Sequence, residues 1–185
     1  MTANGLFSLI GTQSQLTKTM QDWLPGALKE LHLDDWDVVW GPTVWKKHPE
    51  VSITGPDNTW YVARNPSVQF PDGSTHEMYV VANAGTALFS TQDWLHENTG
   101  IVFCVNFDEW TKDITQEPPV SWLPDDKSGV YVARGAAKAV QTVVNTPAPT
   151  GSIGTGTTLL DFLRTVASTS KVVYSGHSLG GALTA

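Results

Sequence analysis

The chain has 185 residues, 41% apolar and only 16% charged, a composition that supports a packed core and excludes a disordered tail or linker. Its formal net charge is −7 and its eleven Lys and Arg residues are scattered, so no nucleic-acid or other polyanionic partner is expected. A single cysteine, Cys104, rules out an internal disulfide, and its place in the run Ile101-Val-Phe-Cys-Val105 marks it as a small buried hydrophobe. Helical spacing of Leu16, Met20, Leu24, Ala27, Leu28 and Leu31 predicts a helix over 14–31, kinked or split at Pro25-Gly26. Trp36, Val38 and Trp40 alternate with Asp37 and Val39, which predicts a strand ended by Gly41-Pro42. Further strands are expected at Thr59–Arg64 and Met78–Ala82, separated by a loop carrying Pro66, Pro71, Asp72 and Gly73.

The segment Thr91–His96 has the character of a helix start, and Ile101–Phe107 is β-prone. Glu117-Pro-Pro119 and Pro124-Asp-Asp126 mark the stretch after it as surface loop. Val130–Ala133 reads as a short strand and the Ala-rich Gly135–Val144 as a helix. Pro147–Gly156 has the composition of a flexible loop insertion, and Leu159, Leu160, Phe162, Leu163 and Val166 give a last helical stripe. These alternating elements predict an α/β fold in one domain. Eight tryptophans imply a core rich in indole, with some rings half exposed because the N–H wants a partner.

The chain closes on Val172–Tyr174, which reads as a buried strand, and then Gly176-His-Ser-Leu-Gly180 before small residues suited to opening a helix. This is the pattern of a nucleophile elbow, in which a serine sits on a tight strand-to-helix turn and small neighbours let strand and helix close around it. Ser178 is the candidate nucleophile, Gly176 and Gly180 supply the room, and the N–H of Leu179 is the first candidate donor to an oxyanion. A serine hydroxyl needs a histidine to accept its proton, and in this fold the acid and histidine follow the serine. Both are therefore expected on a C-terminal part beyond residue 185, carried on the same polypeptide or present as a second chain. His177 is adjacent to Ser178 on a sharp turn, where neighbouring side chains diverge, so it is not expected to be the base. His32, His48, His76 and His96 read as surface residues or as supports behind the site.

The elbow sequence Gly176-His-Ser-Leu-Gly-Gly-Ala-Leu183 resembles that of the class 3 lipases, the fungal-type triacylglycerol lipases of the α/β-hydrolase superfamily, at eight consecutive positions. Upstream, Tyr79-Val-Val-Ala-Asn-Ala-Gly85-Thr86 followed by Asp93-Trp94-Leu95 is similar to the family's strand, Arg-Gly-Ser/Thr and Asp-Trp-Leu, with Ala84 in the arginine position. The family's Val-His-x-Gly-Phe appears only as Val132-Ala-Arg-Gly135-Ala136, without its His and Phe. The resemblance spans about residues 78–185 and implies an α/β-hydrolase fold, with a mostly parallel central sheet flanked by helices, here reaching only as far as the elbow. It implies that Thr86 forms the other half of the oxyanion hole, that His177 is structural, and that the substrate is a lipid or related carboxylic ester. A hydroxyl beside a glycine after a buried strand suits that role independently, because the glycine lets the backbone approach the oxyanion.

No metal-ligand spacing occurs, Gly151-Ser-Ile-Gly-Thr-Gly156 follows no strand, and no cofactor is expected. Three readings stay open: a lipase making transient contact with a lipid interface, an esterase for phenolic-acid or polyester substrates, and a non-catalytic lipid-binding relative that has kept the elbow. A cytoplasmic protein and a mature secreted one are equally compatible with the sequence.

Overall fold

Residues 10–84, 103–119, 121–122, 129–176 and 179–182 are described in this computed structural model of the chain. Helix α1 (Gln13–Glu30) starts with a capping box. Thr12 Oγ1 accepts from Gln15 N–H at 3.3 Å and Gln15 Oε1 accepts from Thr12 N–H at 2.9 Å, which satisfies amides that a helix start leaves without partners. It ends in a Schellman turn, with His32 at φ +57° and Leu33 N–H returning to Leu28 O at 2.9 Å. The helix does not split at Pro25, contrary to the sequence expectation, because Pro25 is exposed while Leu24, Ala27 and Leu28 keep the packed face intact.

Strands β1 (Asp37–Trp45), β2 (Asn58–Gln69), β3 (Thr75–Ala84) and β7 (Lys171–Gly176) form one sheet in the order β1-β2-β3-β7. The first two pairings are antiparallel and β3–β7 is parallel, so the expected mostly parallel sheet is corrected, over the described residues, to a mixed one. The reason is local: the turn between β2 and β3, closed by Phe70 N–H to Ser74 O at 2.8 Å, is too short for anything but an antiparallel hairpin. Gly41-Pro42, expected to end β1, lies inside it, where register shifts after Val38 and after Trp40 absorb the irregularity. Pro66 sits within β2 at a similar shift between Asn65 and Val68.

One face of this sheet carries Trp40, Trp60, Val62, Tyr79 and Val81, packed against Val143 of α3 (Arg134–Asn145) and Leu159 and Leu163 of α4 (Leu159–Val166). A second, antiparallel sheet has the order β5-β4-β6, from β4 (Phe103–Asn106), β5 (Ser121–Trp122) and β6 (Tyr131–Ala133). Beside it, Val105, Trp110 of the short α2 (Phe107–Trp110) and Ala137 of α3 form a smaller cluster. The stretch expected to be all surface loop thus contributes β5. Cys104 is buried in β4.

Two segments are held more firmly than their composition suggests. In 147–157, Ile153 and Gly41 exchange N–H···O bonds of 2.9 and 3.1 Å, and Trp40 Nε1 donates to Thr157 O at 3.0 Å. Ser152 Oγ donates to Pro42 O at 2.6 Å and accepts from Gln21 Nε2 at 2.9 Å, so the supposed flexible insertion is tied to both α1 and β1. In 46–57, the buried Lys46 ammonium donates to the carbonyls of Gly11, Val51 and Thr54 at 2.6, 2.6 and 2.9 Å. Burial lowers its pKa below the usual lysine range while Asp57 pulls the other way.

At the entry to β7, Ser170 Oγ and Arg64 Nε each donate to Glu77 at 2.6 Å and hold its carboxyl below the usual carboxylate range. The strand itself is less covered than the sequence predicts. Val173 is 42% and Tyr174 50% exposed, because β7 has β3 on one side and no described strand on the other.

Candidate active site

Strands β3 and β7 run in parallel register from Met78 opposite Lys171 to Asn83 opposite Gly176, so the two chains finish side by side. Helix α5 (Leu179–Ala182) begins three residues after Gly176. The backbones there approach so closely that no side chain fits between them. A Cβ on Gly176 would fall on the carbonyl group of Gly180 and lie 2.6 Å from Gly181 N. A Cβ on Gly180 would fall on the Asn83 carbonyl oxygen and lie 2.9 Å from the Ala84 carbonyl carbon. Neither glycine has a left-handed φ, so the demand on these positions is for space and not for unusual torsion.

Of the candidate residues, Gly176 closes β7, Leu179 opens α5 and Gly180 lies in its first turn. Ser178, His177 and Thr86 lie outside the described residues, as do the expected helix Thr91–His96 and the Asp93-Trp94-Leu95 segment. Ala84, in the family's arginine position, is the exposed last residue of β3. The Val132-Ala-Arg-Gly135-Ala136 segment forms the end of β6 and the start of α3. There Arg134 is engaged structurally, with Nε donating to Pro118 O at 3.2 Å and Nη2 to Glu117 Oε1 at 3.0 Å. His32, His48 and His76 are exposed. Among the described residues, no group of three or more His, Cys, Asp or Glu could hold a metal ion, and no helix is long and apolar enough to cross a membrane.

Sequence reasoning missed Asn83. It is 6% exposed, its Oδ1 has no hydrogen-bond partner among the described residues, and its main chain touches both Gly176, across the ladder, and the space beside Gly180. An asparagine closing the apolar run Tyr79-Val-Val-Ala was the available signal.

A mixed sheet flanked by helices, with a parallel pair delivering a glycine-lined strand-to-helix junction, defines an α/β protein. Among solved structures, the crystal structure of M37 lipase superposes on 96% of this chain with a TM-score of 0.66 at 22% sequence identity. The chain spans 48% of that lipase, about half its length. No protein-family model matches the sequence, and no curated protein matches it.

Proposed function

We propose that the protein is a serine carboxylic ester hydrolase of the class 3 lipase kind, acting on acylglycerols or related lipid esters through an acyl-enzyme on Ser178. The observation that carries this reading is the mutual exclusion of side chains at Gly176 and Gly180. A hydrolase elbow needs strand and helix to meet at van der Waals contact around the nucleophile, and an ordinary turn does not. The elbow sequence and the fold shared with M37 lipase support the same reading.

In the proposed cycle a histidine takes the Ser178 proton as Oγ attacks the ester carbonyl, and the N–H groups of Leu179 and Thr86 hold the oxyanion. The alcohol leaves with the proton, and water then releases the acid from Ser178 by the same route. The histidine and its aspartate are assigned to a C-terminal part of the polypeptide, since the triad order of this fold places both after the serine. The cycle uses no cofactor.

A non-catalytic lipid-binding relative is the second reading, favoured by Ala84, Ala133 and Ala136 at positions where the family carries Arg, His and Phe. A fluorophosphonate probe applied to the whole polypeptide separates the two. The expected result is labelling of Ser178, hydrolysis of p-nitrophenyl butyrate, and loss of both in Ser178→Ala, with kcat falling by roughly 10⁴- to 10⁶-fold. Undiminished turnover in Ser178→Ala would refute the assignment, and binding of lipid without labelling would select the second reading. Comparing p-nitrophenyl, feruloyl and polyester substrates then separates lipase from esterase.

A further inference from the structure

Three buried polar residues lie in one row across the main sheet: Thr43 of β1 is opposite Trp60 of β2, Trp60 is opposite Asn83 of β3, and Asn83 is opposite Gly176 of β7. Directly paired residues present their side chains on the same face, so the row leads across the sheet to the strand end that meets α5. Thr43, Trp60 and Asn83 are 2%, 0% and 6% exposed, and Thr43 Oγ1, Trp60 Nε1 and Asn83 Oδ1 have no hydrogen-bond partner among the described residues. Asn58, two residues before Trp60 on the same face of β2 and 2% exposed, adds Nδ2, likewise without a partner among the described residues. Apolar residues would pack this face equally well, as Val62 and Val81 do one step along the same strands.

The four atoms are complementary in kind. Asn58 Nδ2 and Trp60 Nε1 can only donate, Asn83 Oδ1 can only accept, and the Thr43 hydroxyl does either. A water molecule accepts two hydrogen bonds and donates two, and buried waters sit where two to four such groups converge. We propose that this row binds ordered water, and that Asn83, held through it, is a positioning residue for the elbow. The Asn83 carboxamide takes a hydrogen bond from the water at Oδ1, while the main-chain carbonyl oxygen of the same residue forms the wall that Gly180 packs against. Fixing the side chain therefore fixes the surface that sets the distance between β3 and α5. The hydration site stands on these residues alone; the catalytic consequence rests on the hydrolase reading.

The pair Asn83→Ala and Asn83→Ser tests this, because the two differ by one hydroxyl at the same position and leave similar room. In the whole polypeptide, Asn83→Ala is expected to lower kcat on p-nitrophenyl butyrate about tenfold with KM changed less than about twofold, the signature of a displaced reacting group and not of weaker binding. Asn83→Ser, which restores an oxygen to the water, recovers part of that loss. Thr43→Val, isosteric and at the far end of the row, gives a smaller fall in kcat and serves if the Asn83 variants do not fold. A crystal structure of the wild type shows density for water touching Asn83 Oδ1. Equal kcat in Asn83→Ala and wild type, or identical losses in the Ala and Ser variants, overturns the positioning role, and a row without water density overturns the hydration site. If wild-type Ser178 fails to label with fluorophosphonate, the hydrolase reading falls and takes the catalytic consequence with it.

Discussion

Gly180 sits against backbone and not against a movable side chain, so a methyl group there has no rotamer to push aside. It would fall on the Asn83 carbonyl oxygen with the Ala84 carbonyl carbon at 2.9 Å, and either α5 or the end of β3 must give way. Gly180→Ala is therefore expected to cost about 1–3 kcal/mol, the range for overpacking a closed site. Gly26, in the exposed middle of α1 with nothing within 4 Å of its would-be Cβ, makes the opposite case. Gly26→Ala should stabilise by roughly 0.5–1 kcal/mol through helix propensity alone. Urea unfolding of the two variants checks both signs, and a Gly180→Ala protein as stable as wild type would contradict the close approach. The same contrast separates what a sequence carries at this site from what it does not. A Gly-x-Ser-x-Gly run keeps all its members within five consecutive residues, so it is open to inspection. The row of Thr43, Trp60 and Asn83 draws one residue from each of three strands and exists only through their register. Asn83 read alone is an asparagine near a turn.

Among the elements, α3, α4 and β3 lie where the sequence puts them, within three residues at their ends, while β2 runs on through Pro66, expected in a loop, to Gln69, five residues past its expected end at Arg64. The failures share a cause, which is that composition reports local preference while long-range hydrogen bonds decide the outcome. Segment 147–157 has the glycine and proline content of a mobile loop, yet Ser152 joins it to Pro42 and Gln21, 110 and 131 residues away. Its hydroxyl is the hinge of that arrangement, donating to one partner and accepting from the other. Ser152→Ala leaves the Pro42 carbonyl and the Gln21 amide each short of a partner at a site where the serine is 7% exposed. The expected cost is about 1–3 kcal/mol, with faster proteolytic cleavage inside 147–157 than in wild type. Stability lost without any change in cleavage would place the damage in the core and not in the segment. Gly41-Pro42 failed as a strand terminator for a related reason: β1 pairs with β2 on both sides of it, and the irregularity is taken up by shifts in register.

At the level of the whole molecule, the two clusters differ in what they can lose before they open. Among the described residues the large one joins nine buried residues from the main sheet, α3, α4 and the segment between them, and β2 is paired along both edges. Among the described residues the small one has three, Val105, Trp110 and Ala137, and its sheet shows two residues of β5 and three of β6. Helix α3 belongs to both, with Ala137 in the small cluster and Val143 in the large one, so it is the element through which an opening in one would reach the other. A region with few buried contacts and short ladders opens at a free energy below that of global unfolding. Native-state hydrogen exchange should therefore show amides at Val62 and Val80 in β2 and β3 exchanging only through global unfolding, with strong denaturant dependence. Cys104 and Val105 in β4 should exchange through a smaller opening, with a weaker dependence that merges with the global line as denaturant rises. The amides at the start of α3 should follow β4 and those near Val143 should follow β2. If all of them trace a single line, α3 couples the two sheets into one cooperative unit, and damage at the small sheet would then be felt at the junction of β3, β7 and α5.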